Sequence, residues 1–259
     1  MIATRTQITT SSSVAAIEKA NIATKGIVRS DGTTTTKVRV LAGQKHAARQ
    51  QVIRIDYEPE KPIPAETAGE LLEQVRECCM EADAIVVSDY DYGVASPDIY
   101  AKVREIATSR NVPLVIDSRF RLGDFRGATS ATPNADEAEQ LLGRGFSSDD
   151  CSRLCDRLGL NSLVVTNGSK GMTVYRPDAP PVTIAAVGSS QAVDVTGAGD
   201  TVIAAYSLGL ASGLDCVEAA RIANHAGGIV VMKKGTAVVT VSELGASLLI
   251  EGKAIPSHP

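Results

Sequence analysis

Residues 193–201 read V-D-V-T-G-A-G-D-T and lead directly into a mostly apolar run, T-V-I-A-A-Y-S-L-G-L, at 201–210. Gly197 and Gly199 let the backbone turn with its N–H groups pointing the same way. The apolar run predicts a helix that ends near Gly213. Because the positive end of the helix dipole adds to those N–H groups, the pattern predicts an anion-binding site at the start of the helix.

Asp200 places a carboxylate beside this predicted anion site, which is electrostatically costly unless the carboxylate has chemistry to perform. One role explains both features: Asp200 removes a proton from a hydroxyl while the loop amides hold the phosphoryl group that the hydroxyl attacks. The alternative is a plain turn in which Asp200 caps the helix, since Gly and Asp are common before helices. The local pattern leaves both interpretations open.

The composition favours one large α/β domain, or a domain with a small appendage, within 259 residues. Hydrophobic residues make up 44% and aromatic residues only 3%, so the core must be aliphatic. A net charge of −4 argues against a nucleic-acid partner, and no apolar run reaches membrane-spanning length. Since the N-terminus also lacks a hydrophobic signal core, we expect a cytoplasmic protein with no membrane contact.

The cysteines predict neither a disulfide framework nor a zinc site. Their number, five, is odd, and none of them forms a C-x-x-C pair. Cys151 and Cys155 are four residues apart, which favours packing on one face of a helix. A reducing compartment is therefore the simpler setting.

The pattern of the chain changes at Pro64. Before it, β-forming runs at 33–41 and 51–57 predict an antiparallel hairpin, with Ile53 and Ile55 on one face and Arg54 on the other. A merely solvated edge hairpin is the alternative. After it, helices alternate with short apolar strands: the predicted helices span 64–81, 97–110, 136–142, 151–158 and 215–231, and the strands 84–88, 113–117, 162–166 and 172–175. Strands without polar alternation indicate a parallel sheet covered on both faces.

Polar residues follow three of these strands, at Ser88-Asp89, Asp117 and Thr166-Asn167. Because ligands bind beyond the carboxyl ends of strands in such sheets, we expect these groups to share one rim with the 194–200 loop. Each of them also has a plain interpretation as a turn former or helix cap. The sequence contains no P-loop, no G-x-G-x-x-G after a strand and no protein-kinase signature.

Further motifs have both structural and functional interpretations. Asn134 and Glu137 have the spacing of a helix capping box. Residues 166–171, T-N-G-S-K-G, are typical of a hairpin turn. The predicted helix at 215–231 is rich in small residues, with Asn224 as the polar exception on a surface suited to close packing.

The stretch D-V-T-G-A-G-D-T-V-I-A-A resembles the C-terminal signature of the PfkB/ribokinase family of sugar kinases. The resemblance implies a ribokinase-like α/β fold, with a mostly parallel sheet, helices on both faces and a hairpin lid at 33–57, in a single kinase domain at 1–259. It also implies that Asp200 is the catalytic base and that the amides of Gly197, Ala198 and Gly199 form the anion hole.

The same resemblance implies ATP and Mg²⁺ as cofactors. Asn134 and Glu137 match the family's N-x-x-E motif, which places Mg²⁺ through bound water, and Asp194 and Thr196 match positions that bind a monovalent cation such as K⁺. The residues that match the nucleotide site are Thr166, Gly168, Lys170, Gly171 and Asn224, together with the segment K-K-G-T-A at 233–237 beside the adenine.

Within the family, the stretches T-T-T-K-V-R-V-L-A-G, V-S-D-Y-D-Y-G-V and A-T-P-N-A-D-E-A-E resemble most the kinases of D-glycero-β-D-manno-heptose 7-phosphate, a lipopolysaccharide precursor. Asp89 and Arg119 are then substrate contacts, and a homodimer forms through the lid. Two departures are expected to matter. The family's N-terminal segment, with a sugar-binding Asp, does not precede Val14, and Tyr92 replaces a lysine for which Arg119 or Arg121 would compensate.

Two hypotheses follow from these matches and departures. The first is an ATP-dependent kinase of a sugar or sugar phosphate. The second is a truncated, catalytically impaired homologue that binds nucleotide and has a binding or regulatory role.

Overall fold

The computed structural model describes residues 10–30, 35–42, 50–58, 63–177, 179–188 and 192–254. The chain divides into two compact units, one of Met1–Cys78 with Tyr92–Val94 and one of Cys79–Asp91 with Ala95–Pro259. The helices are α1 (Thr10–Lys19), α2 (Ala65–Cys79), α3 (Pro97–Arg110), α4 (Ala135–Leu142), α5 (Ser148–Leu158), α6 (Ala198–Ala211), α7 (Cys216–Val230) and α8 (Val241–Ala254). The strands are β1 (Thr36–Ala42), β2 (Gln50–Tyr57), β3 (Ile85–Asp89), β4 (Leu114–Ser118), β5 (Ser130–Ala131), β6 (Ser162–Thr166), β7 (Met172–Arg176) and β8 (Ala179–Ile184).

The first unit contains the predicted hairpin. β1 and β2 pair antiparallel, with Val38 opposite Ile55 and Val40 opposite Ile53. The apolar residues therefore share one face, as the period-two alternation predicts. The connecting residues 43–49 and the first predicted strand residues, Thr33 and Thr34, lie outside the described residues. The proposal of one kinase domain over 1–259 stays a prediction.

The second unit is built on a six-stranded sheet in the order β3-β4-β5-β6-β7-β8. The pairs from β3 to β6 are parallel, and β7 and β8 add antiparallel strands. Parallel neighbours end at the same edge, so the sequences that follow β3, β4, β5 and β6 meet there. This confirms the predicted mostly parallel sheet.

Helices cover both faces of this sheet. α6 lies against β3 and β4 and α7 against β7 and β8, whereas α4 and α5 lie against β6. Val164 belongs to the core cluster with residues of α6 and α7. Its neighbours Leu163 and Val165 point the opposite way and are equally buried, as a strand between two helix layers requires.

α6 and α7 pack closely because small residues meet between them. A Cβ added to Gly209 would lie 2.9 Å from the Cβ of Ala219, and one added to Gly227 would lie 3.0 Å from a methyl of Val202. Small residues therefore let these two helices approach closely within the aliphatic core that the composition predicts.

Cys151 and Cys155 are buried on one face of α5, also as predicted. Burial raises the pKa of the Cys155 thiol to about 12, so it remains a neutral packing group.

Some predicted boundaries were wrong. Residues 1–13 have little apolar periodicity, which predicts an irregular segment, yet residues 10–13 lie in α1. α5 begins at Ser148, before the predicted start at 151, because Ser147 and Asp150 form a capping box. Three elements were not predicted at all: β5, β8 and α8. In the described part of the chain, no helix is long and apolar enough to span a membrane.

Candidate active site

Four chain segments bring polar groups to the carboxyl edge of the sheet. Asp89 and Ser118 are paired at the ends of β3 and β4, with Asp117 one residue earlier. Beyond β5, Asn134 forms a parallel bridge with Thr166 at the end of β6. The rim predicted from the strand ends is therefore present, and all of these residues belong to the second unit.

The 194–200 loop also lies at this rim. Asp200 is exposed, and its charge adds to burial in raising the pKa of both Asp117 and Tyr90, so its carboxylate lies near the strand ends. Gly197 adopts φ 78° and precedes α6, and the Thr201 hydroxyl donates to the Gly197 carbonyl at 2.9 Å. Asp200 is thus on the first turn of α6 without acting as its side-chain cap, which removes the plain-cap interpretation.

The predicted anion hole is only partly open. Gly199 and Asp200 stand in the first turn of α6, and their N–H groups have no carbonyl partner within the described residues. The Ala198 N–H instead donates to the Val195 carbonyl at 3.2 Å. An anion at this helix start would therefore meet the N–H groups of Gly199 and Asp200 first.

A cluster of carboxylates shapes the electrostatics of the rim. Burial raises the pKa of Asp117 to about 6, and the charges of Glu137, Asp200 and Asp89 add to the shift. Burial also raises the pKa of Glu137, opposed by hydrogen bonds from Asn134 and by the charge of Arg119. Oxygen donors crowded in this way are the environment that a hard divalent cation stabilises.

Arg119 is a cation of this rim. Burial raises the pKa of both Glu137 and Tyr90, and the charge of Arg119 opposes that rise in each; its guanidinium lies 5.1 Å from the ring centre of Phe120. Its backbone N–H donates to the Asp89 carbonyl, which fixes the residue at the end of β4. Arg119 therefore lies at the rim, and its predicted contact with substrate stays a prediction.

Asp89, the other predicted substrate contact, is buried and already has several donors. Its carboxylate accepts from the Ser118 hydroxyl at 2.8 Å and from the Arg121 guanidinium at 2.7 Å. Arg121 also forms an ion pair with Asp91 at 2.7 Å. Asp89 and Arg121 therefore brace the rim in this structure, and the predicted contact of Asp89 with substrate stays a prediction.

The predicted nucleotide residues line one cleft in part. A cleft of about 330 Å³ is bordered by Asn134, Ala135, Asp136, Thr166, Asn167, Gly168 and Lys170. The capping box at its edge is complete, because the Asn134 N–H donates to Glu137 and the Glu137 N–H donates to the Asn134 side chain, both at 2.9 Å. The cap therefore fixes the Glu137 carboxylate at the start of α4.

Gly171 and Asn224 have structural partners instead. Gly171 lies against the backbone of residues 184–186, and the buried Asn224 amide donates to the Ala185 carbonyl at 2.7 Å. The small-residue surface of α7 thus packs on the chain after β8, since a Cβ at Gly228 would lie 2.4 Å from the Val187 carbonyl oxygen. The predicted contact of Gly171 and Asn224 with a nucleotide stays a prediction.

Asp194 is engaged by backbone donors. One carboxylate oxygen accepts from the Thr196 N–H at 2.9 Å and the other from the Gly235 N–H at 3.0 Å. The resemblance implies a monovalent cation at this residue, whereas the bond from Gly235 was not predictable because Gly235 is 41 residues along the chain. The cation role of Asp194 and Thr196 stays a prediction.

Two residues of the rim had no role assigned from the sequence. Asp117 was expected at the rim only by its position after a strand, and its raised pKa depends on neighbours from three other segments. Burial raises the pKa of Tyr90, and the charges of Asp200 and Asp117 add to the rise. Among the described residues, no three His, Cys, Asp or Glu side chains are close enough to hold a metal ion by themselves. Mg²⁺, which usually keeps several waters, would fit this rim through water and substrate phosphates.

Comparisons with known proteins identify the family of the chain. The family model of pfkB family carbohydrate kinases matches residues 10–242. The chain is 37% identical over 224 residues to the bifunctional protein HldE of Trichlorobacter lovleyi, covering 84% of this chain and 44% of that protein. It is 38% identical over 208 residues to HldE of Mesorhizobium japonicum, covering 78% of this chain and 42% of that protein. The chain thus spans less than half the length of these curated relatives.

Solved structures show the same fold at lower identity. Ribokinase from Giardia lamblia superimposes with a TM-score of 0.72 at 18% identity, over 92% of this chain and 79% of that one. Such a likeness establishes the ribokinase-like architecture, and the family match rests on the sequence. The chain belongs to the pfkB family of carbohydrate kinases.

Proposed function

We propose that this chain transfers the γ-phosphoryl group of ATP to a hydroxyl of a sugar phosphate, with heptose 7-phosphate as the acceptor. The observation that supports this most is the exposed Asp200 carboxylate on the first turn of α6 near the strand ends, beside N–H groups of Gly199 and Asp200 that have no carbonyl partner among the described residues. That arrangement would supply a base and an anion-binding helix start on one turn of the same helix.

The chemical step follows from these groups. The acceptor hydroxyl gives its proton to the Asp200 carboxylate as its oxygen forms a bond to the γ-phosphorus, and the bond from that phosphorus to the bridging oxygen of ADP breaks. The N–H groups of Gly199 and Asp200 hold the migrating phosphoryl oxygens. Asp200 therefore both activates the acceptor and marks where it must lie.

The nucleotide would enter the cleft beside Lys170, whose ammonium suits the phosphate chain. Mg²⁺ would be held through water by Glu137 and by Asp117, and it would offset the charge of the phosphates. Arg119 would meet the anionic group of the sugar phosphate. Heptose 7-phosphate is chosen because curated relatives at 37–38% identity are HldE proteins and because Arg119 at this rim supplies a cation for a phosphate.

The experiment measures ADP release with ATP, Mg²⁺ and a panel of heptose 7-phosphate, fructose 6-phosphate and ribose. We expect turnover with the heptose and a loss of about 10²–10⁴-fold in kcat for Asp200→Asn, with ADP affinity unchanged. Asp156→Asn, on the exposed side of α5, is the matched control and should keep wild-type turnover. Nucleotide binding without transfer to any acceptor would favour the impaired homologue instead.

We also propose that the hairpin pairs with a second copy of the chain. Its apolar face is exposed, with Ile53 at 53%, Ile55 at 41% and Tyr57 at 56% of their full accessible surface. A contiguous apolar face of this kind favours association. Sedimentation should show a dimer that Ile55→Lys converts to a monomer, whereas a wild-type monomer at micromolar concentration would contradict the proposal.

A further inference from the structure

Arg121 binds three points of the connection between β3 and α3. Its Nη2 group donates to the Asp89 carboxylate at 2.7 Å and to the Ala95 carbonyl at 3.2 Å. Its Nε atom lies 2.7 Å from an Asp91 carboxylate oxygen. Because Asp89 ends β3 and Ala95 precedes Ser96, the N-cap of α3, one guanidinium holds both ends of this connection.

The centre of the connection has an unusual backbone conformation. Asp91 has φ 63°, in the left-handed region that is disfavoured for residues other than glycine. Its N–H donates to the Asp89 carboxylate at 3.1 Å, which closes a turn, and the ion pair with Arg121 is a second hold on the same residue. These contacts offset the cost of the left-handed conformation.

Arg121 is itself anchored to the sheet and the core. Its backbone N–H donates to the Ser118 hydroxyl at 3.1 Å, and its guanidinium lies 5.6 Å from the ring centre of the buried Phe125. Its charge is shared between the carboxylates of Asp89 and Asp91. A substrate phosphate would have to displace one of these carboxylates to reach Arg121, which argues against the phosphate contact suggested by the sequence.

The same connection carries Tyr90 on the side of the rim that faces α6. Val115 of β4 packs in the core cluster with residues of α6, and two residues further along Asp117 pairs with Ser88 of β3. Because side chains alternate along a strand, Asp117 and Ser88 lie on the α6 face. Tyr90 is 40% exposed, and the charges of Asp200 and Asp117 add to burial in raising its pKa, so it lies near both.

We propose that Arg121 is a positioning residue that clamps the connection from β3 to α3 and so holds Tyr90 beside Asp200, where the acceptor sugar must lie. The inference rests on the proposed kinase function and deepens it. Arg121 acts through Asp89 and Asp91 and does not itself contact the substrate. Loss of the clamp therefore loosens the acceptor side of the rim and leaves the nucleotide cleft at the end of β6 unchanged.

Arg121→Gln removes the charge of the clamp. The acceptor KM should rise about three- to tenfold, with a smaller fall in kcat and unchanged ADP affinity. Arg121→Lys, whose single ammonium cannot reach all three partners, should lie between Arg121→Gln and wild type. Arg153→Gln is the matched control, because it removes the same charge from an exposed pair with Asp150 on α5, and it should keep wild-type kinetics. An equal loss of ADP affinity in Arg121→Gln would overturn the proposal.

Asp91→Asn separates the clamp from a direct phosphate contact. It removes one carboxylate partner of Arg121, and an asparagine still tolerates a positive φ. If Arg121 is a clamp, the acceptor KM rises as in Arg121→Gln. A KM that falls because the freed arginine binds the acceptor phosphate, or a KM that does not change, overturns the proposal. The Asp91 side chain is 50% exposed, so this variant should fold even if Arg121→Gln, which leaves the buried Asp89 without its cation, does not.

Amide hydrogen exchange tests the clamp without turnover. In the free wild-type protein, the N–H groups of Asp91 and Arg119 donate to the carboxylate and the carbonyl of Asp89, and both should be protected. Exchange of the amide at position 91 should become about three- to tenfold faster in Arg121→Lys and in Asp91→Asn. Unchanged exchange in both variants overturns the clamp. A chain that phosphorylates no sugar would contradict the proposed function and leave this result to be judged separately.

Discussion

Gly171 is held where no other residue fits. Its φ is +90°, and a Cβ there would lie 2.0 Å from the Ile184 carbonyl oxygen and 2.6 Å from the Ala186 nitrogen. The close approach lets the Asn167 N–H donate to the Gly171 carbonyl at 2.7 Å and so shapes the turn beside the nucleotide cleft. The glycine is thus required by its neighbours as well as by its own backbone conformation.

We predict that Gly171→Ala costs about 3 kcal/mol or more in the free energy of unfolding, because backbone strain adds to contact with fixed backbone atoms. The matched control is Gly143→Ala, at φ +94° with no atom within 4 Å of the added Cβ. It should cost only the backbone strain, about 1–3 kcal/mol. Urea unfolding of both variants checks this, and equal losses would show that the contacts at Gly171 do not matter.

At the level of residues, the sequence predicted local relations well and distant ones poorly. The Asn134–Glu137 capping box was predictable because both partners lie on one helix turn. The buried pairing of Asp89 with Arg121 and the bond from Gly235 to Asp194 were not, because each joins segments that only the fold brings together. The position of Asp200 at the rim was predictable because its motif is contiguous in the sequence.

At the level of elements, α6 is joined to the sheet by a buried polar cluster. The Tyr206 side chain is fully buried, and its hydroxyl lies 3.0 Å from the Ser130 hydroxyl and 2.9 Å from the Ser162 hydroxyl. Two small residues on β5 and β6 leave room for the phenol. The helix that bears Asp200 is thereby held against the strands that end at the rim.

Tyr206→Phe should therefore lower the free energy of unfolding by about 1–2 kcal/mol, since it removes a buried hydroxyl while the two serines still bond each other. Tyr57→Phe, at an exposed hairpin position, is the control and should change stability by less than about 0.5 kcal/mol. Chemical unfolding measures both. In a double-mutant cycle, Ser162→Ala should lose much of its effect in the Tyr206→Phe background, and full additivity would contradict the cluster.

The elements that sequence analysis missed have physical explanations. β8 contains Pro180 and Pro181, which argue against a strand, but its place at the edge of the sheet tolerates missing donors. β5 has only two residues and no periodic pattern. α8 did have a usable signal, because Thr240 and Glu243 have capping-box spacing and are bonded in that way.

At the scale of the whole molecule, the fold collects acidic residues that are scattered through the sequence. Asp89, Asp117, Glu137 and Asp200 come from four segments, and the burial of Asp117, together with repulsion from the other three carboxylates, is a cost of folding that raises its pKa. Functional sites often keep such unfavourable charge because a ligand offsets it. The rim is therefore expected to be less stable empty than with Mg²⁺ and nucleotide bound.

This cost gives the stability of the protein a defined pH dependence. The pKa of Asp117 rises from its ordinary value of 3.8 to about 6 in the folded chain, so folding favours its protonated form. The stability contributed by protonated Asp117 is fully present below pH 3.8 and is lost as the pH rises through about 6. Without divalent ions, the ionised carboxylate should destabilise the folded chain at pH 8.

Asp117→Asn should accordingly increase the free energy of unfolding at pH 8 by about 1–3 kcal/mol, because the amide has the shape of the carboxylic acid without its charge. Near pH 4, where the wild-type residue is largely protonated in the folded chain, the gain should nearly vanish. Urea unfolding across pH 4–8 in buffer with EDTA measures the difference, with Asp156→Asn as the control at an exposed site. A gain that is constant with pH would mean that the substitution acts through packing, and that the carboxylates of the rim do not repel one another as their placement indicates.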